Sequence, residues 1–411
     1  MSSNEETLKD IKVLELANFI AAPACGRFLA DLGAEVIKVE SLGGDPIRFT
    51  APSEGRPLDQ YENTTWDLEN ANKRGIALNL KTPNGMEVLY KLLDKSDIFL
   101  TNWRPHALKR AGLDYDTLKL KYPKLVYSQI TGYGEKGPDK DLPGFDFTAF
   151  FARGGLLGTL YEKDTVPMNV IPGLGDHQAG MFLAAGTIAS LYRAKMTGKG
   201  EKVSSSLLHS AMYTVGMMLQ AAQYPDYGSK YPIHRKDTAN PLLVAQKTKD
   251  DRFIQTCMPA YNVFYDRYMK VIGREDLVGD ARYCKIENLD GKSRELCDII
   301  EAEIIKKDVA EWNTIFRAAD IPFSIAQTWE ELLVDEQAWA NDYLYSMKYD
   351  NGNTRTLVRP PVMFEEVGLS KYERGPLLGE NSIEVLKELG YSNDVIKEMQ
   401  ESKEVYKWSD K

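Results

Sequence analysis

At 411 residues, with 43% hydrophobic and 27% charged residues, the chain has the make-up of a soluble globular protein of two domains, or one large domain with insertions. A net charge of −9 argues against nucleic acid as a main partner. No apolar run approaches the ~20 residues of a membrane span, the polar opening MSSNEETLKD is not a signal peptide, and Cys25, Cys257, Cys284 and Cys297 show neither a CxxC pair nor metal-site spacing. A reduced, cytoplasmic protein is expected.

The N-terminal half alternates strands and helices. IKVLEL (11–16) reads as a buried strand, PACGRFLADLG (23–33) as a helix and EVIKVE (35–40) as a second strand. IALNL (76–80) and DIFLTN (97–102) follow, separated by the helical GMEVLYKLLDKS, and LVYSQITGYG closes the series near Gly134. This alternation implies an α/β fold, a Rossmann-like parallel sheet covered by helices. A long helix rich in Ala, Leu and Met follows PGLGDHQAG. From about Tyr224 the texture becomes polar and loop-like; RFIQTCM then reads as a strand and NVFYDRYMKVIG as a helix. The expected organisation is a large domain over 1–225, a small α+β domain over 226–335, and a return to the large domain over 336–411. The last segment contains the helix SIEVLKELG, with Gly390 as its C-cap.

A dinucleotide reading of the first strand–loop–helix, with Glu40 as the ribose acid, fails on its loop. Ala17, Asn18, Phe19, Ile20, Ala21 and Ala22 contain no glycine, whereas a pyrophosphate needs close backbone approach. The four histidines (His106, His177, His209, His234) are scattered, and neither a GxSxG elbow nor a Walker loop appears. Basic residues gather in NKRG (Lys73, Arg74) and NWRPHALKR (Arg104, Lys109, Arg110); a solvated helix face is the commoner explanation of one such cluster, and two that follow strand ends leave a polyanionic ligand open. Asp176 stands out. Pro172, Gly173 and Gly175 break the chain before it, and the following helix turns its positive end toward the carboxylate, favouring the charged form by ~0.3–1 kcal/mol. Two readings stay open: a helix cap, which is the commoner role, and a nucleophile toward an activated acyl group. His177, next in the chain, should diverge from Asp176 rather than pair with it.

The stretches LANFIAAPACGRFLADLGAEVIKVE, GGDPIR, NANKRGIALNLKTPNG, TNWRP, ITGYGEKGP and PGLGDHQAG occur in the order found in family III CoA-transferases, which the chain resembles over nearly its whole length, through to PLLGENSIEVLKELGY. Each motif is weak alone; their ordered set is specific. ENTTWDLENANK, GFDFTAFFARGG and DEQAWANDYLY resemble the branch acting on 2-hydroxy acids in amino-acid fermentation. The resemblance implies a CoA thioester as substrate, with no permanently bound cofactor and no metal. CoA would move from an aryl-acryloyl-CoA such as (E)-cinnamoyl-CoA to a 2-hydroxy acid such as (R)-phenyllactate, with 2-hydroxyisocaproate as the alternative acid.

It also implies that Asp176 is the nucleophile and forms an acyl-aspartyl anhydride. CoA would be held by Ile20, Ala21, Leu78, Asn79, Leu80, Lys81, Asn102, Trp103, Arg104 and Arg110, and Phe145 and Asp146 would flank the acyl site. Family members form interlocked homodimers; association with a 2-hydroxyacyl-CoA dehydratase is a further expectation. Candidate walls for an aryl side chain are Phe147, Phe150, Phe151, Met217 and Met218, residue types that equally describe plain core. Two departures from formyl-CoA transferase, a member of that family, stand out: Ile20 stands where it has a glutamine, and the glycine run that closes over its site is absent near Asn240 and Pro241. Racemases of this fold carry GHD where this chain reads GFD, and Phe145 cannot accept a proton.

Overall fold

The computed structural model describes residues 6–224, 231–367 and 372–408. Short apolar runs rich in Val, Ile and Leu make the parallel strands β1 (Lys12–Leu16), β2 (Glu35–Glu40), β3 (Arg74–Leu78), β4 (Ile98–Thr101) and β5 (Val126–Thr131). β6 (Lys202–Ser206) joins β5 in parallel at one edge, and β12 (Val405–Tyr406) pairs antiparallel with β3 at the other. The order β12-β3-β2-β1-β4-β5-β6 places β1 between β2 and β4, so Leu14 faces Ile37 on one side and Phe99 on the other. The chain therefore reverses its direction of winding at β1/β4. Such a reversal opens a crevice beyond the carboxyl ends of the strands, where ligands of open α/β sheets bind.

Helices of this frame include α1 (Ala21–Asp31), α2 (Thr64–Asn70), α3 (Pro83–Leu93), α4 (Pro105–Ala111), α5 (Tyr115–Lys121), α6 (Leu174–Thr197) and α7 (Leu207–Thr214). One core joins α1 and α6 to the sheet through Cys25, Phe28, Leu29, Leu183 and Leu191. The second joins α3 and α5 to it through Val88, Leu92 and Leu118, together with Val385 and Met399 from the C-terminal helices. The sheet is thus covered on both faces, as parallel sheets require. Small residues set the spacing of α1 and α6. A Cβ on Gly180 would lie 2.6 Å from the Ala21 carbonyl oxygen, so only glycine lets the two helices meet at their N-terminal ends.

Two compact units result: Met1–Leu157, Asn169–Leu219 and Glu336–Lys411 form the first, and Gly158–Met168 with Gln220–Asp335 the second. The first also holds the hairpin of β10 (Leu344–Lys348) and β11 (Thr354–Val358). The second contains an antiparallel sheet of β7 (Ala245–Lys247), β8 (Phe253–Thr256) and β9 (Phe323–Ile325) around a core of Tyr265, Tyr268, Trp312 and Phe316. Asn240 is buried there, donating to the Met258 carbonyl. Among the described residues no helix is long and apolar enough to cross a membrane.

Candidate active site

Three loops at the carboxyl ends of β1, β4 and β5 surround a cavity of about 490 Å³. Its wall includes Phe19, Ile20 and Ala21 from the first loop, Asn102, Trp103 and Arg104 from the second, and Phe145 with Asp176 from the segments beyond β5. Of the residues expected from sequence, Ile20, Ala21, Asn102, Trp103, Arg104, Phe145 and Asp176 are therefore brought together. Leu78, Asn79, Leu80, Lys81 and Arg110 lie outside this wall. Leu78 is buried in the sheet against Val405, while Lys81 and Arg110 are exposed.

Asp176 occupies the third position of α6, and the N-cap is Gly173, whose φ of 87° only glycine adopts readily. The capping reading of Asp176 is thereby excluded by its place in the helix. The expected bias of the helix dipole toward the charged form is also overridden here. Burial, with Asp146 and Glu69 nearby, pushes the Asp176 carboxyl up to about 7, and only His177 works in the opposite direction. Desolvation and two like charges outweigh the helix dipole.

Asp146 is buried and acts as a clasp. Its Oδ2 accepts the Gly173 N–H at 2.7 Å and its Oδ1 accepts the Phe147 N–H at 2.8 Å, which ties the start of residues 146–152 to the start of α6. Burial raises its carboxyl while these two donors offset part of the effect. The segment it heads, Asp146–Ala152, is π-helical, with Arg153 N–H donating to the Thr148 carbonyl five residues back. His177 does diverge from Asp176, and its Nε2 lies 2.7 Å from Glu69 Oε1 on α2. Glu69 is 1% exposed, and its Oε2 has no hydrogen-bond partner among the described residues. Burial alone would lower the His177 imidazole, but the Glu69 hydrogen bond and the surrounding carboxylates leave it raised.

Several sequence expectations change. Lys73 and Arg74 do not await a polyanion: Lys73 is buried with its Nζ 2.7 Å from Glu15 Oε2, and Arg74 pairs with Glu35 and Glu388. Glu40 spends both oxygens on Arg48. Phe150 and Phe151 belong to the α1/α6 core, whereas Phe147, Met217 and Met218 are exposed away from the cavity wall. A larger hollow of about 880 Å³, bordered by Arg48, Arg56, Tyr61 and Arg355, contains none of the expected residues. Its guanidinium groups are already ion-paired, with Glu40, Glu54 and Glu62. Sequence reasoning missed Glu69, Phe19 and Asp45; of these only Phe19 left a trace, in the glycine-free turn after the first strand.

Asp176 thus stands on the wall of a crevice at the winding reversal of an α/β sheet, where ligands of such sheets bind. The chain superposes on a CAIB/BAIF family protein from Brucella suis with a TM-score of 0.80 at 24% identity, covering 93% of this chain and 99% of that one. Residues 8–382 match the description of CoA-transferase family III, and the chain belongs to that family. It is 65% identical over 98% of both chains to the cinnamoyl-CoA:phenyllactate CoA-transferase of Clostridium sporogenes. It is 46% identical to the (R)-2-hydroxy-4-methylpentanoate CoA-transferase of Clostridioides difficile, over 97% of this chain and 99% of that one.

Proposed function

We propose that this enzyme moves CoA from an aryl-acryloyl-CoA such as (E)-cinnamoyl-CoA to a 2-hydroxy acid such as (R)-phenyllactate, with Asp176 as the nucleophile. The carrying observation is the position of Asp176 on the same cavity wall as Ile20, Ala21 and Asn102–Arg104. An Asp176 carboxylate oxygen attacks the thioester carbonyl, the C–S bond breaks, and CoA leaves as thiolate, giving a mixed anhydride. The thiolate attacks the aspartyl carbonyl and releases the donor acid, leaving an aspartyl-CoA thioester. The acceptor carboxylate then attacks that thioester, the C–S bond breaks, and CoA leaves as thiolate, giving a second anhydride between Asp176 and the acceptor. Returning thiolate attacks its acyl carbon, which restores the Asp176 carboxylate and delivers the acceptor as its CoA thioester. Activation is conserved throughout, so the chemistry needs no ATP, provided the pocket excludes water.

The geometry supplies the needs of these steps. Helix α6 begins with N–H groups that precede its first i→i−4 bond, and such donors stabilise the oxyanion of each tetrahedral intermediate. His177, held by Glu69, offsets the repulsion of the carboxylates around Asp176 and keeps a nucleophilic fraction present at neutral pH. Arg104 and Lys140 are cations on the cavity wall, and the planar Arg104 guanidinium suits a CoA phosphate. Lys81 and Arg110 follow the ends of β3 and β4 and are assigned to more distant parts of CoA. A branched aliphatic 2-hydroxy acid is the second reading, favoured by the 46% identical relative. The homodimer, a cytoplasmic location and association with a 2-hydroxyacyl-CoA dehydratase complete the proposal and rest on the family resemblance.

The test is CoA exchange between cinnamoyl-CoA and (R)-phenyllactate by Asp176→Asn. We expect a loss of at least ~10³-fold in kcat, since an amide cannot form the anhydride. Exchange at the wild-type rate would remove Asp176 from the mechanism, and stronger use of 2-hydroxyisocaproate by the wild type would reassign the acid.

A further inference from the structure

The loop between β1 and α1 turns without glycine, and Phe19 carries the turn with a φ of 62°. A bulky residue in that conformation is strained and persists only where its surroundings over-determine it. Here they do. The Ala17 carbonyl accepts Lys38 Nζ at 2.8 Å, and the Asn18 N–H and carbonyl pair with the Asn102 side-chain amide at 3.1 and 2.7 Å. The Phe19 N–H donates to Asp45 Oδ1 at 3.0 Å. Asp45 is itself fully buried and fixed by Lys38 Nζ at 3.0 Å, which also holds Glu15 at 2.9 Å.

This anchorage turns an apolar ring toward solvent. Phe19 is 37% exposed and Phe145 51%, and both line the cavity that contains Asp176. Their rings meet edge to face, with centroids 5.8 Å apart and planes at 89°. Phe145 immediately precedes Asp146, the clasp on Gly173, and Ile20 Cδ1 lies 3.5 Å from where a Gly173 Cβ would stand. The aromatic pair therefore borders the first turn of α6, beside the nucleophile.

We propose that Phe19 and Phe145 form an aromatic clamp that selects aryl over aliphatic acyl groups, with Phe19 fixed in its left-handed conformation by Asp45 and Asn102. The clamp rests on the acyl-transfer reading above and names its specificity determinant. Two T-shaped rings present an edge and a face to a third flat ring, a contact that a branched aliphatic chain cannot reproduce.

The experiment measures kcat/KM for CoA transfer from cinnamoyl-CoA and from a branched aliphatic enoyl-CoA in the wild type, Phe19→Leu, Phe145→Leu and Phe19→Gly. The last variant relaxes the backbone conformation, so the missing ring is tested in a chain freed of that strain. The aryl-to-aliphatic ratio should fall ~3–10-fold in each variant, the range set by one lost aromatic contact. A ratio equal to that of the wild type in all three, whatever the absolute rates, overturns the clamp. Failure of the wild type to use either thioester overturns the transfer reading instead, so the two failures are distinct.

Discussion

Replacing Asp176 by Asn should stabilise the protein, and more so as pH rises. The Asp176 carboxyl stands at about 7 in the folded chain against an ordinary value of 3.8, chiefly because it is desolvated and then because Asp146 and Glu69 repel its charge. A folded state that binds a proton more tightly than the unfolded state loses stability as pH climbs between those two values. Below about 4 both states are protonated and the carboxyl carries no penalty. Above about 7 the whole penalty is present. Roughly three pH decades at ~1.4 kcal/mol each set a ceiling of about 4 kcal/mol; solvent at the cavity mouth brings the expected gain of Asp176→Asn to ~1–3 kcal/mol. Urea denaturation of both proteins at pH 5 and pH 8.5 measures it. The stability difference should grow between the two pH values. A variant equally stable at both, or one favoured only at the acidic value, would refute the strained-carboxylate argument.

The neighbours of Asp176 should move its titration in opposite directions. His177→Gln removes the one cation that lowers it, so the acid limb of kcat/KM should shift upward by about half to one pH unit; a downward shift contradicts the assignment. Asp146→Asn removes the strongest repelling charge and should shift the limb downward. That variant also leaves one acceptor oxygen where Asp146 has two, one for the Gly173 N–H at the head of α6 and one for the Phe147 N–H, at a cost of ~1–2 kcal/mol in thermal or urea unfolding. Gly180→Ala forces a Cβ against the Ala21 carbonyl and should cost ~1–3 kcal/mol while raising KM for the thioester, because α1 carries the cavity loop at its start. Unchanged stability and KM would mean that the two helices separate freely.

The sheet was legible because its five inner strands are apolar runs between turn signals, and periodicity reports burial directly. β6 was not, since KVSSS carries three serines and one aliphatic residue; its place comes from pairing with β5. The two residues of β12 were too few to signal anything. Asp176 was visible through its glycine-rich approach, but its ionisation was not. Glu69 lies 108 residues from His177 and Asp146 lies 27 from Gly173, and no local pattern joins them. Lys73 misled for a related reason. A buried lysine and a solvated one look alike until Glu15, on another strand, is seen to neutralise it.

The π-helical turn at Asp146–Ala152 holds one more residue per turn than an ordinary helix would. Rewinding the same seven residues as α-helix would swing the leading end by about a third of a revolution. The Asp146 tether to Gly173 and the Phe145 ring would leave Asp176 together. The wide winding of this stretch is therefore as tightly specified as its chemistry, and variants should tolerate exchanges that keep the wide turn far better than ones that let it tighten to α-helix.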